Sequence, residues 1–214
     1  MAQRTVHYVF GIRLAKACGI ADEQRFLLGS LLPDAISSKE ERNKTHFAYR
    51  GADGTRYYEF DRFRRDFANE MNDPLYLGYY MHLVEDSFYR AFCHQDYQLY
   101  FIKDEAVRAL HRDYHLLNPW LVKRYALENR LTIPADLESE PLFGIACFEL
   151  KNLCDDLAQD FIEQPTGDYT YLSPAMMEEF IERYLPQAEA ELRAVLEGRE
   201  LLHAADFAWK KTDE

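Results

Sequence analysis

The stretch from Leu75 to Cys93, LYLGYYMHLVEDSFYRAFC, constrains the chain more than any other. It is apolar nearly all round at helical spacing, the pattern of a central helix buried on most of its surface. The Asn72-Asp73-Pro74 turn precedes it. Polar groups inside such a helix need partners, because burying a carboxylate alone costs several kcal/mol, of order. His82 and Asp86 stand four apart and share one face, a turn from each other. Taken alone, such a pair can simply hydrogen-bond to itself within a core network. Glu85 points about 100° away on the helix and reads as solvated or salt-bridged.

Around this helix the chain reads as all-α. Val6, Val9, Phe10, Leu14 and Ala17 recur at helical spacing up to a stop at Gly19, with His7 near the start. A second helix runs from a cap at Asp22 through FLLGSLLPDA, and Pro33 ends it so that Asp34 falls at or just after its end. Residues 37–58 are polar and read as a surface loop holding THF at 45–47. Phe60, Phe63 and Phe67 stripe a structural helix over 59–71, and further helices are predicted over 98–112, 118–129, 141–163 and 174–197. The last dozen residues, ending WKKTDE, are expected to fray. There is no internal repeat. One all-helical domain over 1–214 is the expectation, with a metal-binding half over about 1–95 and a helical C-terminal half over about 96–200.

Composition narrows the functional classes. A net charge of −12 repels a duplex phosphate backbone, so no duplex nucleic acid is expected as a partner. No run approaches the roughly 18 apolar residues of a membrane span. The N-terminus reads as mature sequence without a signal peptide, and Cys18, Cys93, Cys147 and Cys154 form no CxxC pair. Free thiols and a cytoplasmic location follow as expectations. Nothing in the chain signals an oligomeric state.

The residues of interest are a His near the first helix start, an Asp after Pro33, a His in a polar loop, and the helical His-Asp pair. Nitrogen and oxygen donors of this kind suit zinc and similar divalent ions. In order and spacing, HYVFG at 7–11, LLGSLLPDA at 27–35, THF at 45–47 and LGYYMHLVEDSF at 77–88 resemble the bacterial zinc-dependent phospholipase C superfamily, which includes single-strand nucleases. The resemblance covers roughly residues 5–92 and implies a multi-helix bundle of the phospholipase C type. It implies that Asp34, His46, His82 and Asp86 bind one zinc, and that His7 and the bridging Asp86 bind a second. Manganese or iron fit the same donors.

Such a pair of ions polarises a phosphoryl oxygen, acidifies a bound water and clamps both ends of an in-line displacement. Asp34 is then the candidate general base. The chain departs from the family at a third zinc, where SFYRAF follows Asp86 in place of further ligands, and at the N-terminus, where the family ligates through a processed first residue and here a short leader precedes His7. His94, His111 and His115 do not fit the pattern; HRDYHLLN at 111–118 reads equally as substitute ligands or as exposed helix surface, and His203 as surface. Lys39, Arg42 and Lys44 read first as a solvated loop and second as holders of a substrate phosphate.

The expected function is a metal-dependent phosphoesterase acting on a small soluble phosphodiester or phosphomonoester. A histidine-aspartate phosphohydrolase is disfavoured, because the adjacent His-Asp dipeptide is missing. The alternative is a non-catalytic helical module with a structural metal site or a buried His/Asp network.

Overall fold

The structure is a computed structural model and describes residues 2–101 and 103–210. Among these residues it is mainly helical: α1 (Arg4–Cys18), α2 (Glu23–Leu31), α3 (Lys39–Thr45), α4 (Phe60–Asp66), α5 (Pro74–Ala91), α6 (Asp104–Arg124), α7 (Leu150–Ile162) and α8 (Pro174–Leu196). A small antiparallel sheet is added by β1 (Ala48–Arg50), β2 (Thr55–Tyr58) and β3 (Trp209–Lys210), in the order β1-β2-β3. The all-α expectation is corrected to that extent.

Local chemistry sets the helix ends. Gly19 takes the left-handed φ of 65° that closes α1, and its N–H bonds back to Ala15 and Lys16 carbonyls. Asp22 caps α2 through Arg25 N–H, while Asp73 caps α5 through Leu75 N–H with Pro74 in the first turn. The Arg25 guanidinium binds Asp73 at 2.6 and 2.8 Å, pinning the starts of these two helices together.

Helix α5 is buried along nearly its whole length, and α2 packs most closely against it. The closeness depends on two glycines. A Cβ on Gly29 would stand 2.0 Å from the Leu75 carbonyl oxygen, and one on Gly78 would stand 2.0 Å from that of Phe26. Only glycine allows such backbone approach. Helices α1 and α8 complete the packing around α5, and α6 and α7 pack together beside α1.

Several expected boundaries move. The segment 37–58 is helix α3 followed by the β1–β2 hairpin, not one loop. Helices expected over 98–112 and 118–129 are the single α6, with Pro119 inside it. Proline there removes a bond to the carbonyl of His115, a residue on the exposed face of the helix. The stripe at 59–71 yields only α4, and 141–163 is a 3₁₀ turn, a loop and then α7. The tail expected to fray instead places Trp209 and Lys210 on the sheet, paired with Arg56 and Thr55; residues 211–214 lie outside the described residues.

Candidate metal centre

All five sequence-predicted ligands converge between α1, α2, α3 and α5. His7 comes from the second turn of α1, and Asp34 from a 3₁₀ turn, Leu32–Asp34, that continues α2. His46 closes α3, and His82 and Asp86 lie on α5. The loops are tied together by Thr45, whose hydroxyl donates to the Pro33 carbonyl at 2.9 Å, and by Tyr79, whose hydroxyl donates to the Thr45 carbonyl at 2.6 Å. Phe47 follows with a φ of 47°, a left-handed conformation costing a non-glycine residue about 1–2 kcal/mol. Its ring is held against Phe63 at 5.3 Å, so the turn that aims His46 is anchored by core packing.

The two central imidazoles have their proton positions set by backbone carbonyls. His82 Nδ1 is 2.9 Å from the Ser30 carbonyl, and His46 Nδ1 is 2.9 Å from that of Arg42. Carbonyls only accept, so both Nδ1 atoms carry hydrogen and donate. Thr45 Oγ, 3.1 Å from His46 Nδ1, faces it with a lone pair, since its own proton goes to Pro33. In the neutral form of each ring Nε2 is then bare, and the two Nε2 atoms face each other at 3.2 Å. Burial, followed by the charge of His7, lowers His82 to about 3, so its lone pair stays unprotonated near neutral pH.

Carboxylates close the ring. His46 Nε2 lies 3.4 Å from Asp34 Oδ1 and 3.5 Å from Asp86 Oδ2, and His82 Nε2 lies 3.9 Å from Asp86 Oδ2. Two ligand atoms on a tetrahedral ion at zinc distances stand about 3.3 Å apart. The observed separations are close to those edges, and the donor set of imidazole nitrogen and carboxylate oxygen fits a divalent ion. Asp86 Oδ2 is buried without any hydrogen-bond partner, while Oδ1 accepts from Ala2 N–H at 2.6 Å.

His7 forms the second lobe. Its ring stacks on His82 at 3.9 Å, and its Nε2, without a hydrogen-bond partner, is 3.5 Å from Asp86 Oδ1. Ligand atoms of His7, Asp34 and His82 lie within 4.8 Å of one another, as do those of His46, His82 and Asp86. On its far side His7 Nδ1 meets Glu85 Oε2 at 2.7 Å. Burial opposes a charge on His7, but the nearby Asp86 and Glu85 carboxylates outweigh it and push its pKa up to about 10. Burial lifts the Glu85 carboxyl to about 7. Of the two readings of Glu85, solvated or salt-bridged, the first is corrected and the second stands: it is fully buried and pairs with His7. A helix buried all round has no solvent side, so the residue 100° from Asp86 meets α1 instead.

Compared with known protein families, characterised proteins and solved structures, the chain matches none.

Other candidates fall elsewhere. Asp113 accepts from the backbone N–H groups of Thr170, Tyr171 and Leu172 and fixes the approach to α8. His115 pairs with Glu163, and His94 with Arg90. Arg42 spends one guanidinium arm on the Ile36 carbonyl.

Proposed function

We propose that the chain is a metal-dependent phosphoesterase of the phospholipase C type, with one or two divalent ions, zinc foremost, held by His7, Asp34, His46, His82 and Asp86. The observation that carries the metal is the pair of Nε2 atoms 3.2 Å apart, bare in the neutral rings, with both Nδ1 protons committed to carbonyls. Two facing lone pairs repel unless a cation lies beside them, and histidine ligands oriented through a backbone carbonyl are typical of metal sites. A divalent ion held there supplies Lewis acidity and lowers the pKa of a coordinated water.

The chain's own groups set what that chemistry can reach. Asp34 alone of the three site carboxylates, with Glu85 and Asp86, keeps some side-chain exposure, 13%, and so marks the open side. Burial raises its pKa, but the closeness of the His46 ring, 3.4 Å away, and of His82 and His7 outweighs that and holds it ionised. It can therefore ligate and accept a hydrogen bond from an attacking water in one place. Glu85 and the Ser30 and Arg42 carbonyls fix the rings. The substrate in this reading is a small phosphomonoester or phosphodiester. A cytoplasmic setting belongs to the same reading, and the four free cysteines fit it.

The test is hydrolysis of para-nitrophenyl phosphate and its bis ester. Activity is expected that disappears with a chelator and returns with zinc or manganese, and that Asp34→Asn lowers at least about 100-fold. Activity that persists undiminished in chelator overturns the metal-dependent reading, and none with any divalent ion leaves the non-catalytic metal module as the better account.

A further inference from the structure

Arg90 and His94 continue the face of α5 that begins with His82 and Asp86, each about one turn further on. The helix ends there in a π-helical turn, Phe92–Asp96. With Gln98, Tyr100, Trp209 and Lys210 they line a cavity of about 400 Å³. The sheet builds its far wall, since β3 carries Trp209 and Lys210.

The hydrogen bonding of this cavity is one-sided. Arg90 Nη1 donates to His94 Nε2 at 3.2 Å, and Nη2 donates to the Tyr58 hydroxyl at 3.3 Å. Its guanidinium lies 4.8 Å over the Trp209 ring. The remaining Nε–H is buried with no acceptor. A guanidinium has no acceptor of its own, so His94 Nε2 is the accepting nitrogen and the ring proton sits on Nδ1. That Nδ1 is also buried with no partner. Burial and the field of Arg90 lower His94 to about 4, which keeps the ring in this neutral form. Among the described residues, no contact of Arg90 is a carboxylate. Lys210, exposed at the rim, has only a distant pairing with Asp53, at 3.9 Å.

Two buried donors without acceptors, one of them on a cation that feels the field of Asp86 but has no carboxylate bonded to it, want an anion. We propose that this cavity is an oxyanion-binding site that takes a phosphate or carboxylate group on Arg90 Nε–H and His94 Nδ1–H. The Trp209 and Tyr100 rings flank the organic part that carries the group. Tyr58 links the cavity to the metal centre: its hydroxyl receives Arg90 and its ring stands 5.9 Å from that of His46. That the anion is a second charged group of the same substrate rests on the phosphoesterase reading; the anion site itself does not.

Trp120→Phe leaves Trp209 as the sole tryptophan, so fluorescence reports the cavity directly. The protein as purified is titrated with inorganic phosphate, phenyl phosphate and benzoate, before and after chelation. A saturable change is expected with phenyl phosphate, benzoate or both, and which of them binds separates phosphate from carboxylate. Arg90→Met should weaken it at least about tenfold, while chelation should leave it within about twofold. Absence of a saturable change with all three probes overturns the proposal. So does equal affinity in Arg90→Met, or binding that vanishes on chelation and ignores Arg90, which puts the anion on the metal ions. If circular dichroism shows Arg90→Met unfolded, Arg90→Lys and the surface change Lys210→Gln decide: each should weaken binding several-fold, and unchanged affinity in both overturns the site. A titration that succeeds on protein without hydrolytic activity removes the phosphoesterase reading and leaves this site standing.

Discussion

Among the described residues, two clusters bring histidine and carboxylate ligand atoms within reach of one ion, and they differ in what their atoms still lack. At His115, Asp160 and Glu163, candidate ligand atoms lie within 4.8 Å of one another, as they do at the α5 centre. Yet His115 Nδ1 is 2.9 Å from Glu163, Asn118 donates to Asp160 at 3.0 Å, and Arg4 Nε donates to Asp160 at 2.8 Å. The carboxylates there are met by donors and one cation, and none of their buried oxygens is orphaned. At the α5 centre, His7 Nε2, Glu85 Oε1 and Asp86 Oδ2 are buried without partners, and two imidazole lone pairs face each other. Proximity of ligand types does not distinguish the two regions. Unmet buried polar atoms do, above all the carboxylate oxygens Glu85 Oε1 and Asp86 Oδ2, because each costs free energy that a cation would recover.

The difference breaks first at the helix contact that only the α5 centre needs. Gly78→Ala would force a Cβ to 2.0 Å from the Phe26 carbonyl oxygen, so α2 must retreat and take the Ser30 acceptor away from His82. Overpacking of this kind costs about 3 kcal/mol or more, a fall in Tm of about 6–12 °C for a chain of this size. Differential scanning calorimetry checks it, with Gly144→Ala, which meets nothing within 4 Å, expected to shift Tm little.

A smaller effect sharpens the contrast at one proton. Glu85→Gln keeps the shape of the His7 contact but removes the charge that orients and polarises the ring. Metal affinity, measured by competition with a chromophoric chelator, is expected to fall about 10–100-fold with the fold unchanged. Unaltered affinity would mean that His7 is no ligand.

The smallest effects belong to the other cluster. His115 is 55% exposed and its pairing with Glu163 is worth little in water. His115→Ala and Glu163→Gln are each expected to leave metal content unchanged and Tm within about 2 °C. Loss of metal in either would erase the distinction between the regions.

What the sequence made legible follows from the range of the interactions. The periodicity of α5, the Gly19 stop, the Pro33 turn at Asp34 and the one-face spacing of His82 and Asp86 are local, and they stand as expected. The sheet was hidden because Trp209 pairs with Arg56 across most of the chain, and no short window holds both. Pro119 misled for the same reason, since tertiary packing keeps α6 continuous through a residue that locally argues for a break. The partner of Glu85 was hidden because it arrives from α1, and those of Asp113 because they are backbone N–H groups near residue 170. The Arg90 and His94 positions did carry a signal: they extend the His82–Asp86 spacing by one turn and then another, a stripe visible once α5 is known to be buried.

The most direct test of the central claim is the metal content of the protein purified without added metal or a metal-binding tag, by plasma mass spectrometry. The account predicts one to two equivalents of zinc, manganese or iron per chain, lost when His46 and His82 are both replaced by Ala in a protein that keeps its helical circular dichroism. A protein that carries no metal, even after dialysis against each ion, or a double variant that retains it, would contradict the account.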